Sequence, residues 1–284
     1  MKRILLTVEY DGTAYAGWQR QINGLAVQQV LEEALAVACA HPVTVTGSSR
    51  TDAGVHARMQ MVHFDTGCSI PPEKYPFVLN NLLPPDIRVQ AAREVPPDFH
   101  ARFLTSGKTY TYRILNSRHG SALLRNTCWH VPVPLDLPLM CNALESLPGT
   151  HDFAAFQAAG GTARTTVRTI DRAILSDDGP LLTLIVSGNA FLYNMVRIIA
   201  GTLVEIGLRR LPPDAFSRAF GSLSRLDLGM TAPPCGLELT EVRYPEKAFT
   251  DPASVRWHEV TPRDGSDVDP CPDSDEKGFC FEGD

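Results

Sequence analysis

Short β-branched runs alternate with amphipathic stretches along this chain, and the order β-α-β-β-α-β can be read twice. That order predicts an α+β fold of two similar ferredoxin-like halves, with helices on one face of antiparallel sheets and a central cleft between the halves. In the first half, Ile4 to Tyr10 reads as a strand stopped by Asp11-Gly12. Val27, Val30, Leu31, Leu35 and Ala38 then recur at helical spacing over Ala26 to Ala40. Strands are predicted at Val43 to Thr46 and Met61 to Phe64, a helix over Pro72 to Leu82, and a strand over Ile87 to Val95 after Pro84-Pro85.

The second half reads as a strand at Thr109 to Leu115, a helix at Leu137 to Leu147, strands at Val167 to Leu175 and Leu181 to Val186, and a long helix from Phe191 to Gly207. No residue-level repeat accompanies the repeated order. The expected division is residues 1–104, residues 105–249, and an acidic stretch, 250–284, whose Pro, Asp, Ser and Gly content predicts disorder.

Charge sharpens this division. The chain carries a formal −6, but residues 250–284 hold ten acidic side chains against Arg256, Arg263 and Lys277. Residues 1–249 therefore carry +1, and a near-neutral body accommodates a basic cleft, because local field rather than net charge attracts a polyanion. Seven scattered cysteines with no C-x-x-C pair read as reduced thiols, and the basic start is interrupted by Glu9 and Asp11 before a signal peptide is complete. No apolar run is long enough to span a bilayer, so a cytoplasmic location is expected.

Chemistry concentrates between the second and third strands, in Gly47-Ser-Ser-Arg-Thr-Asp-Ala-Gly-Val-His-Ala57. Taken alone, this loop fits either a functional loop on a rigid scaffold or a turn in which Asp52 accepts backbone amides and Arg50 neutralises it. The histidines show no metal-ligand spacing, and no phosphate-binding glycine loop is present, so neither metal nor cofactor is expected.

Arg50-Thr-Asp-Ala-Gly-Val-His56 resembles the active-site loop of the TruA-type tRNA pseudouridine synthases. Further blocks agree in the same order: Val8-Glu-Tyr-Asp-Gly12, Gly17-Trp-Gln-Arg-Gln21, Phe99-His-Ala-Arg-Phe103, Lys108-Thr-Tyr-Thr-Tyr112, His151-Asp-Phe153 and Met195-Val-Arg197. The resemblance extends from about Ile4 to Tyr244. It implies isomerisation of uridine to pseudouridine at positions 38 to 40 of the tRNA anticodon stem-loop, without cofactor, by a homodimer in which one tRNA lies across both subunits.

It also implies roles for residues. Asp52 is the essential carboxylate, acting as nucleophile at uracil C6 or ribose C1′, or as base at C2′. Arg197 pairs with it and holds it ionised against desolvation. Tyr110 stacks on the uracil and removes or relays the C5 proton, whereas Tyr112, two residues on along the strand, reads as core. Arg50 is the candidate for stabilising the flipped-out nucleotide, and His56, Arg102 and Lys108 are candidate substrate contacts. Arg20, Arg164, Arg168 and Arg172 are candidate phosphate ligands.

Overall fold

A computed structural model describes residues 1–254. The elements run β1 (Lys2–Tyr10), α1 (Val27–Cys39), β2 (Thr46–Gly47), β3 (His56–Thr66), α2 (Tyr75–Asn80) and β4 (Ile87–Val95), followed by β5 (Gly107–Asn116), β6 (Trp129–Val131), α3 (Leu137–Leu144) and β7 (Gly149–Asp152). The chain continues through β8 (Val167–Asp178), β9 (Leu181–Gly188), α4 (Met195–Gly207), α5 (Ala215–Ser222) and β10 (Leu237–Arg243). Most of the predicted disordered stretch, residues 255–284, lies outside the described residues; its start, Pro252–Ser254, forms a short 3-10 turn.

The fold is mixed α+β, built on one large and mostly antiparallel sheet rather than on separate sheets. Its strand order is β4-β1-β3-β10-β5-β9-β8-β7, with β2 added to β3 and β6 added to β5. The seam is the pairing of β10 with β3, parallel and only two residue pairs long, Glu238 with His56 and Leu239 with Ala57. β10 also runs antiparallel to β5, so the last strand among the described residues bridges what precedes and follows residue 104. The strand predicted at Val43 to Thr46 forms ladder only at Thr46–Gly47, against His63 and Val62.

Burial explains the central strands. Ile4, Leu5 and Leu6 of β1 are all buried although successive residues face opposite sides, so both faces of this strand are covered. α4 is the most deeply set helix: apart from Arg197 and Glu205, all of its residues are buried. It begins at Met195 rather than at the predicted Phe191 because Asn194 adopts a left-handed conformation (φ 61°), which ends the preceding turn and restarts the chain as a helix. Among the described residues no helix is long and apolar enough to cross a membrane.

Candidate active site

Asp52 sits in the loop between β2 and β3, and short polar ties fix that loop from three strands. The buried Gln60 of β3 clamps it three times: Ser48 Oγ and the Ser49 amide donate to Gln60 Oε1 at 2.8 and 3.2 Å, and Gln60 Nε2 donates to the Ser49 carbonyl at 2.7 Å. Tyr10 at the end of β1 shares a 2.7 Å hydrogen bond between its hydroxyl and that of Thr51. From β5, Tyr110 Oη and Ser49 Oγ lie 2.8 Å apart, and Lys108 Nζ donates to the Ser48 carbonyl at 2.7 Å. The segment after β1 forms the floor, where the Trp18 amide donates to the Thr51 carbonyl at 3.0 Å. Gly17 makes that approach possible: its φ is +101°, and a Cβ there would meet the Thr51 carbonyl oxygen at 2.7 Å.

Arg197, in the first turn of α4, reaches this loop from the other side. Its Nη1 donates to Asp52 Oδ2 at 3.2 Å and to Asn194 Oδ1 at 2.7 Å, while Nε donates to the Ala232 carbonyl at 2.8 Å. The guanidinium is therefore oriented before any substrate arrives. Desolvation raises the Asp52 carboxyl above the usual aspartate range, and the charge and hydrogen bond of Arg197 oppose that rise. The carboxylate faces a cleft of about 310 Å³, at the small end for ligand pockets and of the order of one nucleoside. Three segments line it: Thr51, Asp52 and Ala53; Ala16 with residues 19–21; and Tyr193.

The expected residues divide into those that meet Asp52 directly and those that act behind it. Tyr110 is only 7% exposed and supports the loop from behind through Ser49, with Phe191 packed edge-on against it at a ring separation of 5.0 Å. Burial pushes its hydroxyl up to about 12, so at neutral pH it is a protonated donor or relay rather than an anion. Tyr112 is core, fully buried and donating to the Pro233 carbonyl at 2.8 Å. Lys108 is spent on the Ser48 carbonyl; burial, aided by the Arg102 charge, lowers its ammonium to about 8.

His56 is likewise inside. Its Nδ1 receives the Gly12 amide at 3.1 Å and its Nε2 faces the Cys235 carbonyl at 3.1 Å, joining the end of β1 to the turn before β10. Arg50 is exposed beside Asp52, and Arg102 is exposed on the turn before β5. Arg20 lines the cleft while pairing with Glu32 at 3.2 Å. Arg164 and Arg172 are exposed, and Arg168 is partly buried. Ser48, Ser49, Thr51, Tyr10, Gln60 and Tyr193 were not singled out from sequence. The two serines and Thr51 carried a signal as small hydroxyl residues flanking the aspartate, and Tyr10 as part of the Val8 to Gly12 block. Among the described residues no cluster of three or more His, Cys, Asp or Glu is arranged to hold a metal ion.

With this geometry described, comparison with known proteins assigns the chain. The family described as tRNA pseudouridine synthase matches residues 6–104 and 143–245, with Asp52 in the first stretch, Arg197 in the second, and Lys108 and Tyr110 between them. The tRNA pseudouridine synthase A of Ruminiclostridium cellulolyticum is 46% identical over 245 residues, spanning 86% of this chain and 100% of the relative. That of Geobacter sulfurreducens is 48% identical over 244 residues, again 86% of this chain and 100% of the relative. The chain belongs to the tRNA pseudouridine synthase family and is an isomerase.

Proposed function

We propose that this enzyme converts uridine to pseudouridine at positions 38 to 40 of the tRNA anticodon stem-loop, with Asp52 as its essential carboxylate. The observation that carries this reading is the Arg197–Asp52 contact of 3.2 Å at a cleft of nucleoside size. The reaction breaks N1–C1′, turns the uracil and forms C5–C1′; the C5 proton leaves and N1 ends protonated. Atoms and electrons are conserved, so the chemistry needs no redox carrier. It needs an anion beside the sugar and base, and Asp52 serves at uracil C6, ribose C1′ or the 2′ carbon. Arg197 keeps that anion ionised as the closing base displaces water. Tyr110, protonated at neutral pH and set behind the loop, relays the C5 proton through the Ser49 hydroxyl it contacts.

Arg50, exposed beside Asp52, stabilises the opened RNA stack, and Arg20, Arg102 and the exposed arginines near β8 contact phosphates. His56 and Lys108 serve the substrate indirectly, by positioning the loop. The strand orders β4-β1-β3-β2 and β10-β5-β9-β8 both support a reading as two ferredoxin-like halves, 1–104 and 105–249. We place the enzyme in the cytoplasm as a homodimer, whose two-fold axis sets two modest basic clefts side by side to hold one tRNA. The test is to incubate the protein with unmodified tRNA and map pseudouridine position by position. Product at 38 to 40 is the expected result; product elsewhere, or none, overturns the assignment.

A further inference from the structure

We infer that Tyr193 forms a nucleobase-stacking subsite at the mouth of the Asp52 cleft, receiving the base next to the target uridine. This rests on the reading of the substrate as a base-flipped tRNA uridine. Among the described residues Tyr193 is the one aromatic side chain lining the cleft, and 46% of it is exposed. An isolated exposed aromatic is unremarkable on a protein surface. This one is mounted rigidly beside the reacting carboxylate.

Its carbonyl accepts the Ala158 amide at 3.1 Å, and the next residue, Asn194, is locked in the left-handed region with its side-chain oxygen on Arg197. Leu192 and Met195, on either side, are buried, so the backbone has little freedom to withdraw the ring. Across the cleft the chain makes a narrow hairpin closed by the bridge between Gln21 and Gly24, and Ile22 at its tip is fully exposed. Gln21 lines the same cleft as Tyr193. The exposed ring of Tyr193 thus lines the cleft together with the base of this hairpin, an arrangement suited to holding an RNA stack apart.

Chemistry also favours stacking over hydrogen-bonded readout at this point. Extruding a base leaves its neighbour without a partner on one face, and an aromatic ring replaces that contact for any base because every base has a π face. An enzyme that acts at three adjacent positions meets different neighbours each time. Hydrogen bonds to base edges would discriminate among them; the face of a ring does not.

The experiment uses full-length protein and a synthetic anticodon stem-loop with 2-aminopurine beside the target uridine. Wild type, Tyr193→Phe, Tyr193→Leu and Tyr193→Ala are compared by single-turnover rate, RNA affinity and probe fluorescence, with thermal midpoints confirming folding. Tyr193→Phe should match wild type. Tyr193→Ala and Tyr193→Leu should bind about tenfold more weakly, keep the maximal rate within about twofold, and lose the fluorescence change on binding. Unchanged affinity in Tyr193→Ala, wild-type behaviour in Tyr193→Leu, or a Tyr193→Phe variant as weak as Tyr193→Ala would overturn the subsite. Absence of pseudouridine with wild-type protein would instead refute the underlying functional reading.

Discussion

The loop around Asp52 and the first turn of α4 meet at a single ion pair, yet they are held in place differently. The loop is tied by hydrogen bonds from Tyr10, Gln60, Lys108 and Tyr110, and only its end, at Val55, joins the apolar core. α4 is held by burial: Ile198, Ile199, Leu203 and Ile206 have no solvent exposure, and only the face carrying Arg197 and Glu205 is partly open. Hydrogen bonds are directional and individually modest in net energy, whereas burial is non-directional and collectively large. Substitutions at the loop should therefore change rate more than stability, and substitutions under α4 the reverse.

The largest effect is expected at the junction itself. Arg197→Met removes the cation that opposes desolvation of Asp52, and the single-turnover rate at neutral pH should fall by about a thousandfold. The direction of the pH dependence follows from the carboxyl pKa. Burial already raises it, and loss of Arg197 raises it further, so more of the carboxyl is protonated at neutral pH. The acid limb of the rate profile should move to higher pH, with partial recovery of rate as pH rises. A uniform loss with an unmoved acid limb would mean that Arg197 acts on the substrate and not through Asp52.

A smaller effect is expected one layer back. Lys108→Met deletes the donor to the Ser48 carbonyl while keeping most of the apolar stem, and the rate should drop about tenfold as the loop loses one tie. Stability provides a second readout. The Lys108 ammonium is lowered to about 8 in the fold from an ordinary 10.5, so its contribution is full above 10.5 and is lost as pH falls through about 8. The stability of wild type relative to Lys108→Met should accordingly increase between those two values in denaturant titrations. If Lys108 instead contacts phosphate, the variant will lose tRNA affinity and flatten its salt dependence, with the loop unaffected.

The smallest effect on rate is expected under α4. Ile199→Ala opens a cavity in a fully buried site and should cost about 2–5 kcal/mol of stability, with turnover of the folded protein within about twofold of wild type. A rate loss matching that of Lys108→Met would show that α4 packing tunes the ion pair, and the contrast between loop and helix would fail.

The same contrast marks what could be read from the sequence. β4 was predicted over its full span, and α1 to within a residue at each end, because period and punctuation are local properties. β6 and β7 are short and make sense only through their partners β5 and β8. β10 reads Leu-Glu-Leu-Thr-Glu-Val-Arg, a visible alternation, but its role as the seam between β3 and β5 is long-range and leaves no local mark.

Site residues behave likewise. Asp52 and Arg197 stand 145 positions apart, and only the resemblance linked them before the structure placed them in contact. Lys108 and His56 stand as candidate substrate contacts in the sequence, yet both point inward, because a side chain's partner is set by tertiary neighbours that sequence spacing does not encode. Tyr193 lies inside the helix predicted from Phe191 to Gly207, just before the Met195-Val-Arg197 block, but exposure at a cleft is a property of the assembled fold.

If Asp52 supplies the reacting anion, replacing one atom of its carboxylate abolishes the reaction. Asp52→Asn preserves the size of the side chain and leaves Arg197 its hydrogen bonds to Asn194 and Ala232, so the fold and tRNA binding should persist. Single-turnover assays with saturating Asp52→Asn enzyme and unmodified tRNA should yield no pseudouridine. Turnover within about tenfold of wild type, a barrier change of only ~1.4 kcal/mol, would contradict the account.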